Sequence, residues 1–267
     1  MIVSRRVSVF LLALGPLCAG AADIKVNLRS RVEPFKASGE WQEVQFAQSL
    51  APEKTAVIVC DMWDRHWCSG ATERVGGLVK QMAPFLEAAR KQGIQIIHAP
   101  SETMPFYQDA PQRKRMLAIS KVEPPTPLVL PDPPLPIDDK SGGCDTPDKF
   151  FKAWSREHAG LRIDAKDVIS DNGPEIYSFL RERDIRTLLV VGVHTNMCVL
   201  NRSFAIKRMT ALGIRCILVR DLTDAMYSPN DPPRVSHAAG TQLVIEYIEK
   251  YWCPTTTRDE LLRAFAH

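Results

Sequence analysis

The stretch Leu188–Leu200, L-L-V-V-G-V-H-T-N-M-C-V-L, constrains this chain more than any other. Leu188–Val191 is a short continuous apolar run, the pattern of a strand covered on both faces. Gly192 ends the run and lets the backbone turn without a Cβ clash. Polar His194, Thr195 and Asn196 follow, and Cys198 falls where the next helix should begin. A thiol at a helix N-terminus meets unpaired N–H groups and the positive end of the helix dipole, so the position is expected to favour thiolate. A cysteine at an arbitrary place is a small hydrophobe. At the carboxyl end of a buried strand, where open α/β sheets bind their ligands, it is a candidate nucleophile.

Strand-like and helix-like runs alternate on both sides of this stretch. Residues 55–60 (T-A-V-I-V-C), 94–99, 186–192 and 215–220 read as buried strands, and 253–257 as an edge strand. Residues 73–92, 170–183, 198–212, 235–251 and 258–266 carry apolar side chains at helical spacing, with Gly93 and Gly213 as stops. The expected fold class is therefore α/β, a doubly wound, mainly parallel sheet flanked by helices. Ahead of it, 22–50 alternates on either side of Ser38-Gly39, which predicts an N-terminal β-hairpin extension lying over a domain of 51–267. Within that domain 100–165 breaks the pattern. Pro124, Pro125, Pro127, Pro131, Pro133, Pro134 and Pro136 exclude helix and central strand, and an insert of that length is a lid, a binding loop or an interface arm.

The formal charge of +3, without a basic run, gives no footprint for nucleic acid, and no G-x-G-x-x-G or P-loop points to a nucleotide cofactor. Residues 1–21 read as a signal peptide: Arg5 and Arg6, an apolar run over 7–17, and Ala19-Gly20-Ala21 before the cut. That run is too short to anchor in a bilayer, and Pro16-Leu17 before Cys18 fits a lipid-attachment box poorly. An exported protein, periplasmic or secreted, free of the membrane after cleavage and assembled as a homo-oligomer, is expected. Of seven cysteines, six remain without Cys18, and at most one disulfide is expected because Cys60 and Cys216 sit in apolar runs. No Cys or His grouping has zinc spacing.

Parallel strands should bring Asp61, His98, His194, Cys198 and Asp221 to one edge, where a carboxylate beside a thiol can take its proton. Two segments then carry a resemblance. D-M-W-D at 61–64, and G-V-H-T-N-M-C-V-L at 192–200 followed by a helix and a strand ending in R-D, resemble the isochorismatase-like cysteine hydrolases, which include nicotinamidases and carbamoylases. The similarity spans about 55–257 and leaves out the hairpin and the Pro-rich insert. It implies Asp61 as general base, Cys198 as nucleophile and a lysine completing a triad. It also implies a cis peptide at Val193–His194, which sets the backbone N–H of His194 beside that of Cys198 as an oxyanion hole. Metal-bearing members carry D-x-H and a further His near the second strand's end; here that segment is H-A-P-S-E-T-M, so neither metal nor cofactor is expected. His66 and His98 lack a clear carboxylate partner for a metal.

Members place the lysine at a strand end before S-x-F, and no lysine here precedes such a turn. Counting back without gaps assigns it to Lys166, 198 − 166 = 32 residues ahead of Cys198, if 161–163 forms the strand. Reading the strand as Val168-Ile169 instead puts Asp171 at the site and leaves no lysine. Trp63, Trp67, His98 and His194 flank the catalytic positions and are the expected walls of a small-molecule pocket. The leading reading is hydrolysis of a C–N bond in a small amide, carbamoyl or imide compound through a cysteine thioester. Alternatives are a vinyl-ether hydrolase that does not need the thiol, and a non-catalytic exported binding protein with the same fold.

Overall fold

The structure, a computed structural model, describes residues 22–266; the expected signal peptide, with Cys18, lies outside them. Its eight strands are β1 Ile24–Val32, β2 Gln42–Leu50, β3 Thr55–Cys60, β4 Gln95–Ala99, β5 Val168–Ile169, β6 Thr187–Val193, β7 Arg215–Asp224 and β8 Thr255–Thr256. The helices are α1 Ser69–Lys91, α2 Met104–Tyr107, α3 Pro111–Leu117, α4 Gly173–Glu182, α5 Cys198–Asn201, α6 Ile206–Ala211, α7 His237–Tyr251 and α8 Arg258–Phe265. The strands form one sheet in the order β2-β1-β8-β7-β6-β3-β4-β5, parallel from β8 to β5 and antiparallel at β1 and β2.

Every residue of β3 and β6 is buried, as continuous apolar runs require. Ala56, Ile58 and Cys60 pack with Ile176, Leu200, Met209 and Val244 of α4, α5, α6 and α7 on one face. Val57 and Val59 pack with Val79, Phe85 and Leu261 of α1 and α8 on the other. Each fully buried aliphatic side chain contributes roughly 1.5–3 kcal/mol relative to exposure, so these two strands anchor the fold. The doubly wound sheet is thus as expected.

Three elements differ from expectation. The hairpin does not lie over the domain but extends the sheet, pairing Arg29 of β1 with Thr255 of β8. Both of its faces explain this. Ile24, Val26 and Leu28 bury on the α1/α8 side, while Arg29 and Arg31 reach Glu249 of α7 at 2.7 and 3.2 Å. Consequently β8 is an interior strand. The third difference is the expected helix over 198–212, which is two short helices broken at Arg202 (φ −59°, ψ 152°).

After α3 the Pro-rich insert runs to β5 without a further helix or strand, and side-chain contacts hold it. A disulfide joins Cys144 of the insert to Cys68 at the start of α1, with a Cα–Cα separation of 5.7 Å. Ser69 donates to Asp148 of the insert through its N–H (2.8 Å) and its hydroxyl (2.6 Å), which starts α1 earlier than its apolar spacing alone predicts.

Candidate active site

β3 ends in Asp61, which lies in the left-handed region (φ 48°) and is fully buried. Aspartate tolerates that conformation better than most residues, and such strain concentrates at functional sites. Gly192 lies alongside with φ 114°, where a Cβ would be driven into the Cys60 carbonyl, so the turn of β6 into the site requires glycine. The Val193–His194 peptide is cis, as the resemblance implied. The backbone N–H of His194 reaches the Cys198 sulfur, and that of Cys198 opens α5, where it has no intrahelical acceptor. Neither N–H has a backbone acceptor among the described residues, which leaves both as donors of the kind an oxyanion hole needs.

The Cys198 thiol lies beside Asp61, close enough for each group to shift the other's titration. The carboxylate accepts from the Ser101 N–H at 2.7 Å through Oδ1 and from Arg202 Nε at 2.9 Å through Oδ2. The cation beside the pair is therefore Arg202, one helical turn beyond Cys198. Arg202 Nη2 also lies 3.5 Å from Glu102 Oε1. Burial raises the Asp61 carboxyl above its usual range, opposed by Arg202, by the Cys198 thiol and by the bond from Ser101. Burial, then the Asp61 charge, pushes the thiol well above its ordinary value, with Arg202 and the His194 N–H working the other way. Against the expectation that the helix start favours thiolate, burial first and the adjacent carboxylate second raise the thiol, and α5 has only four residues. The thiol is thus held protonated beside a carboxyl that Arg202 draws toward its ionised form.

Lys166 does not join this group. β5 is Val168–Ile169 and runs parallel to β4, so Lys166, ahead of it, lies at the amino ends of the strands, opposite the Asp61 edge. It is exposed, and its carbonyl accepts from Gln95 Nε2 at 3.1 Å. It borders a separate cavity of about 470 Å³ with Arg90, Arg162 and Asp164. Asp171 takes the strand-end position, as the alternative reading had it, and accepts from the Glu102 N–H at 2.8 Å.

An open pocket of about 380 Å³ has Cys198 and Arg202 on its wall, with Asn196, Met197 and Asn201 beside them. The insert supplies the rest of the lining, Leu135 and Asp139. The expected walls lie elsewhere. Trp63 is buried, donates to the Ser101 carbonyl at 3.1 Å and stacks on Trp154 at 4.4 Å. Trp67 packs edge-on to Phe150 of the insert. His194 contributes its N–H, while its buried ring meets His66 edge-on at 4.9 Å. Burial and mutual repulsion drop His194 to about 3, and burial and Arg74 drop His66 to about 4, so both rings are neutral.

His98 is not a substrate contact either. It is fully buried, its Nδ1 is 2.7 Å from Glu157 of the insert and its Nε2 is 3.0 Å from Asp167. Burial alone would lower it, but these carboxylates hold it up at about 9, so it is a buried imidazolium locking the insert to β4. With both nitrogens occupied it has no lone pair for a metal. Asp221 caps α8 by accepting from the Arg258 N–H at 2.7 Å.

No protein-family model matches the chain, and no curated protein is significantly similar to it. Among solved structures, the cysteine hydrolase from Pseudomonas syringae superposes with a TM-score of 0.52 at 22% identity, over 81% of this chain and 94% of its own. The chain has the isochorismatase-like α/β fold. An isochorismatase from Pseudomonas putida is similar at 17% identity and a TM-score of 0.49, over 78% of this chain and 90% of its own.

Sequence reasoning missed Arg202, Ser101, Asn196, Leu135 and Asp139. Arg202 alone had a readable signal, since a residue four beyond Cys198 on a helix lies on the same side.

Proposed function

We propose that the protein is a cysteine hydrolase that cleaves a C–N bond of a small amide, carbamoyl or imide compound, exported to an oxidising compartment. The observation that carries this reading is the Cys198 thiol beside buried Asp61, itself held by Arg202, on the wall of an open pocket. The isochorismatase-like fold supports it, as the Cys68–Cys144 disulfide supports export.

The chemistry follows from the proton inventory. As sulfur attacks the substrate carbonyl, the thiol proton passes to Asp61, and the negative charge gathering on oxygen faces the N–H groups of His194 and Cys198. Collapse breaks the C–N bond, Asp61 returns its proton to the leaving nitrogen, and a thioester remains on Cys198. Water then attacks the thioester carbonyl, giving a proton to Asp61; the acid departs and the proton returns to sulfur. Arg202 stays charged throughout, because Asp61 raises its pKa against the penalty of burial. It keeps Asp61 ionised and ready to accept the proton.

The test is a panel of small amides, carbamoyl compounds and imides, read as amine or ammonia release. Turnover by wild type that disappears in Cys198→Ala is expected. Full activity in Cys198→Ala would overturn the covalent route and favour chemistry without the thiol.

A further inference from the structure

The pocket beside Cys198 holds one anionic side chain without a cation, Asp139 of the insert. Of the carboxylates near it, Asp61 is matched by Arg202 at 2.9 Å, Asp138 by Lys140 at 3.8 Å and Asp132 by Lys207 at 2.7 Å, while Asp231 accepts from the Ser141 hydroxyl. Asp139 Oδ2 accepts only the neutral amide of Asn196, at 2.8 Å, and among the described residues Oδ1 has no partner.

That carboxylate is held in place. Asn196 is 1% exposed and is fixed by Met226 at both ends of its amide, donating to the Met226 carbonyl (3.1 Å) and accepting from its N–H (2.8 Å). Next to Asp139, the Asp138 N–H donates to the Pro232 carbonyl at 2.9 Å, and the Asp139 carbonyl accepts from the Gly142 N–H at 2.9 Å. A flexible surface aspartate has none of these restraints. Side-chain entropy has already been spent in aiming it, as recognition groups require. Arg202, which shares the pocket lining, is engaged with Asp61 and Glu102 and makes no ion pair with Asp139.

We infer that Asp139 is the specificity-determining residue of the pocket and that the substrate is a small amide carrying a cationic nitrogen group, an ammonium or an amidinium. This inference rests on the reading of Cys198 as nucleophile. The carbonyl carbon meets the thiol at one wall, the cationic group meets Asp139 at the other, and Leu135 covers the apolar stem between. A neutral analogue leaves the Asp139 charge without its partner on binding and is discriminated against. An anionic one is repelled.

Methanethiosulfonate reagents test this without knowing the substrate, because they carry one reactive group with different charges. The thiol displaces methanesulfinate and becomes a mixed disulfide. The rate of Cys198 labelling is followed by peptide mass for the aminoethyl (cationic), sulfonatoethyl (anionic) and methyl (neutral) reagents. Wild type should prefer the cationic over the anionic reagent by about tenfold or more, the range in which a charged cleft focuses ions. Asp139→Asn, which keeps shape and the acceptor for Asn196, should cut that ratio to about threefold or less, and Asp139→Glu should keep it. Both variants should unfold at the wild-type temperature. Arg202 is common to all three proteins, so the change in ratio isolates Asp139. Equal ratios in wild type and Asp139→Asn would overturn the inference while leaving the nucleophile intact. Failure of Cys198 to react even with the methyl reagent would overturn both the inference and the hydrolase reading beneath it.

Discussion

Three side chains explain the site at the scale of residues. Asp61 is buried, so its carboxyl would protonate on its own; Arg202 is what opposes that, at 2.9 Å. An opposite charge at this range lowers a carboxyl by about 1–3 pH units. Arg202→Gln should therefore move the acid limb of the activity profile up by about 1–3 units. Activity lost at pH 6 should return at higher pH. Arg202→Lys keeps the charge and should leave the limb near wild type, although it loses the planar fork. A limb that does not move in Arg202→Gln would remove Arg202 from the activation of Asp61. Asp61 and Cys198 were legible because apolar runs delivered both to one edge. Arg202 was not, since the resemblance places the cation at a strand end and this one follows a short helix that breaks at it. Lys166 misled because β5 is two residues long, too short for periodicity to set its position.

At the scale of elements, the Pro-rich insert is the wall of the pocket, and two locks hold it there. One is His98 between Glu157 and Asp167. Its folded pKa of about 9 lies above the unfolded value near 6.5, so its stabilisation is complete below pH 6.5 and is lost as pH rises through 9. Urea midpoints should fall between pH 6 and 9 by the equivalent of about 3 kcal/mol. His98→Gln should be less stable at pH 6 and flatter across that window; an unchanged slope would show that His98 is not the titrating lock. The other lock is the Cys68–Cys144 disulfide, which closes a separation of 76 residues and is worth about 4 kcal/mol in chain-entropy terms. Replacing both cysteines by serine should lower the thermal midpoint and raise KM more than it lowers kcat, because Leu135 and Asp139 loosen while Asp61 and Cys198 stay on the sheet. Equal losses in both constants would argue that the insert acts on the chemistry itself. In the sequence the pattern weakens over 100–165 and its prolines exclude helix where they cluster, whereas two short helices, α2 and α3, form ahead of them. Which of its residues turn inward depends on partners far away in the chain, such as Asn196 and His98.

On the scale of the whole molecule, the sheet edge is the organising device: β3 and β6 stay paired through Cys60 and Gly192, and Asp61 and the β6 turn to Cys198 follow just beyond the pairing. The central strands were readable because burial on both faces makes their residues uniformly apolar. The place of the hairpin was not, since the apolar alternation of Ile24, Val26 and Leu28 gives it a buried face but the reach of Arg29 and Arg31 to Glu249 decides where it docks. The central claim, that Asp61 holds the base position for Cys198, is tested most directly by the pH dependence of Cys198 alkylation by iodoacetamide in wild type and Asp61→Asn. The thiol alone titrates far into the alkaline range, whereas a carboxylate that takes its proton makes it reactive once Asp61 ionises. The expected wild-type rate rises as Asp61 ionises and then holds a plateau, whereas the Asp61→Asn rate rises only in the alkaline range, because the burial that raises the thiol remains in the variant. Superimposable profiles in the two proteins would contradict the central claim.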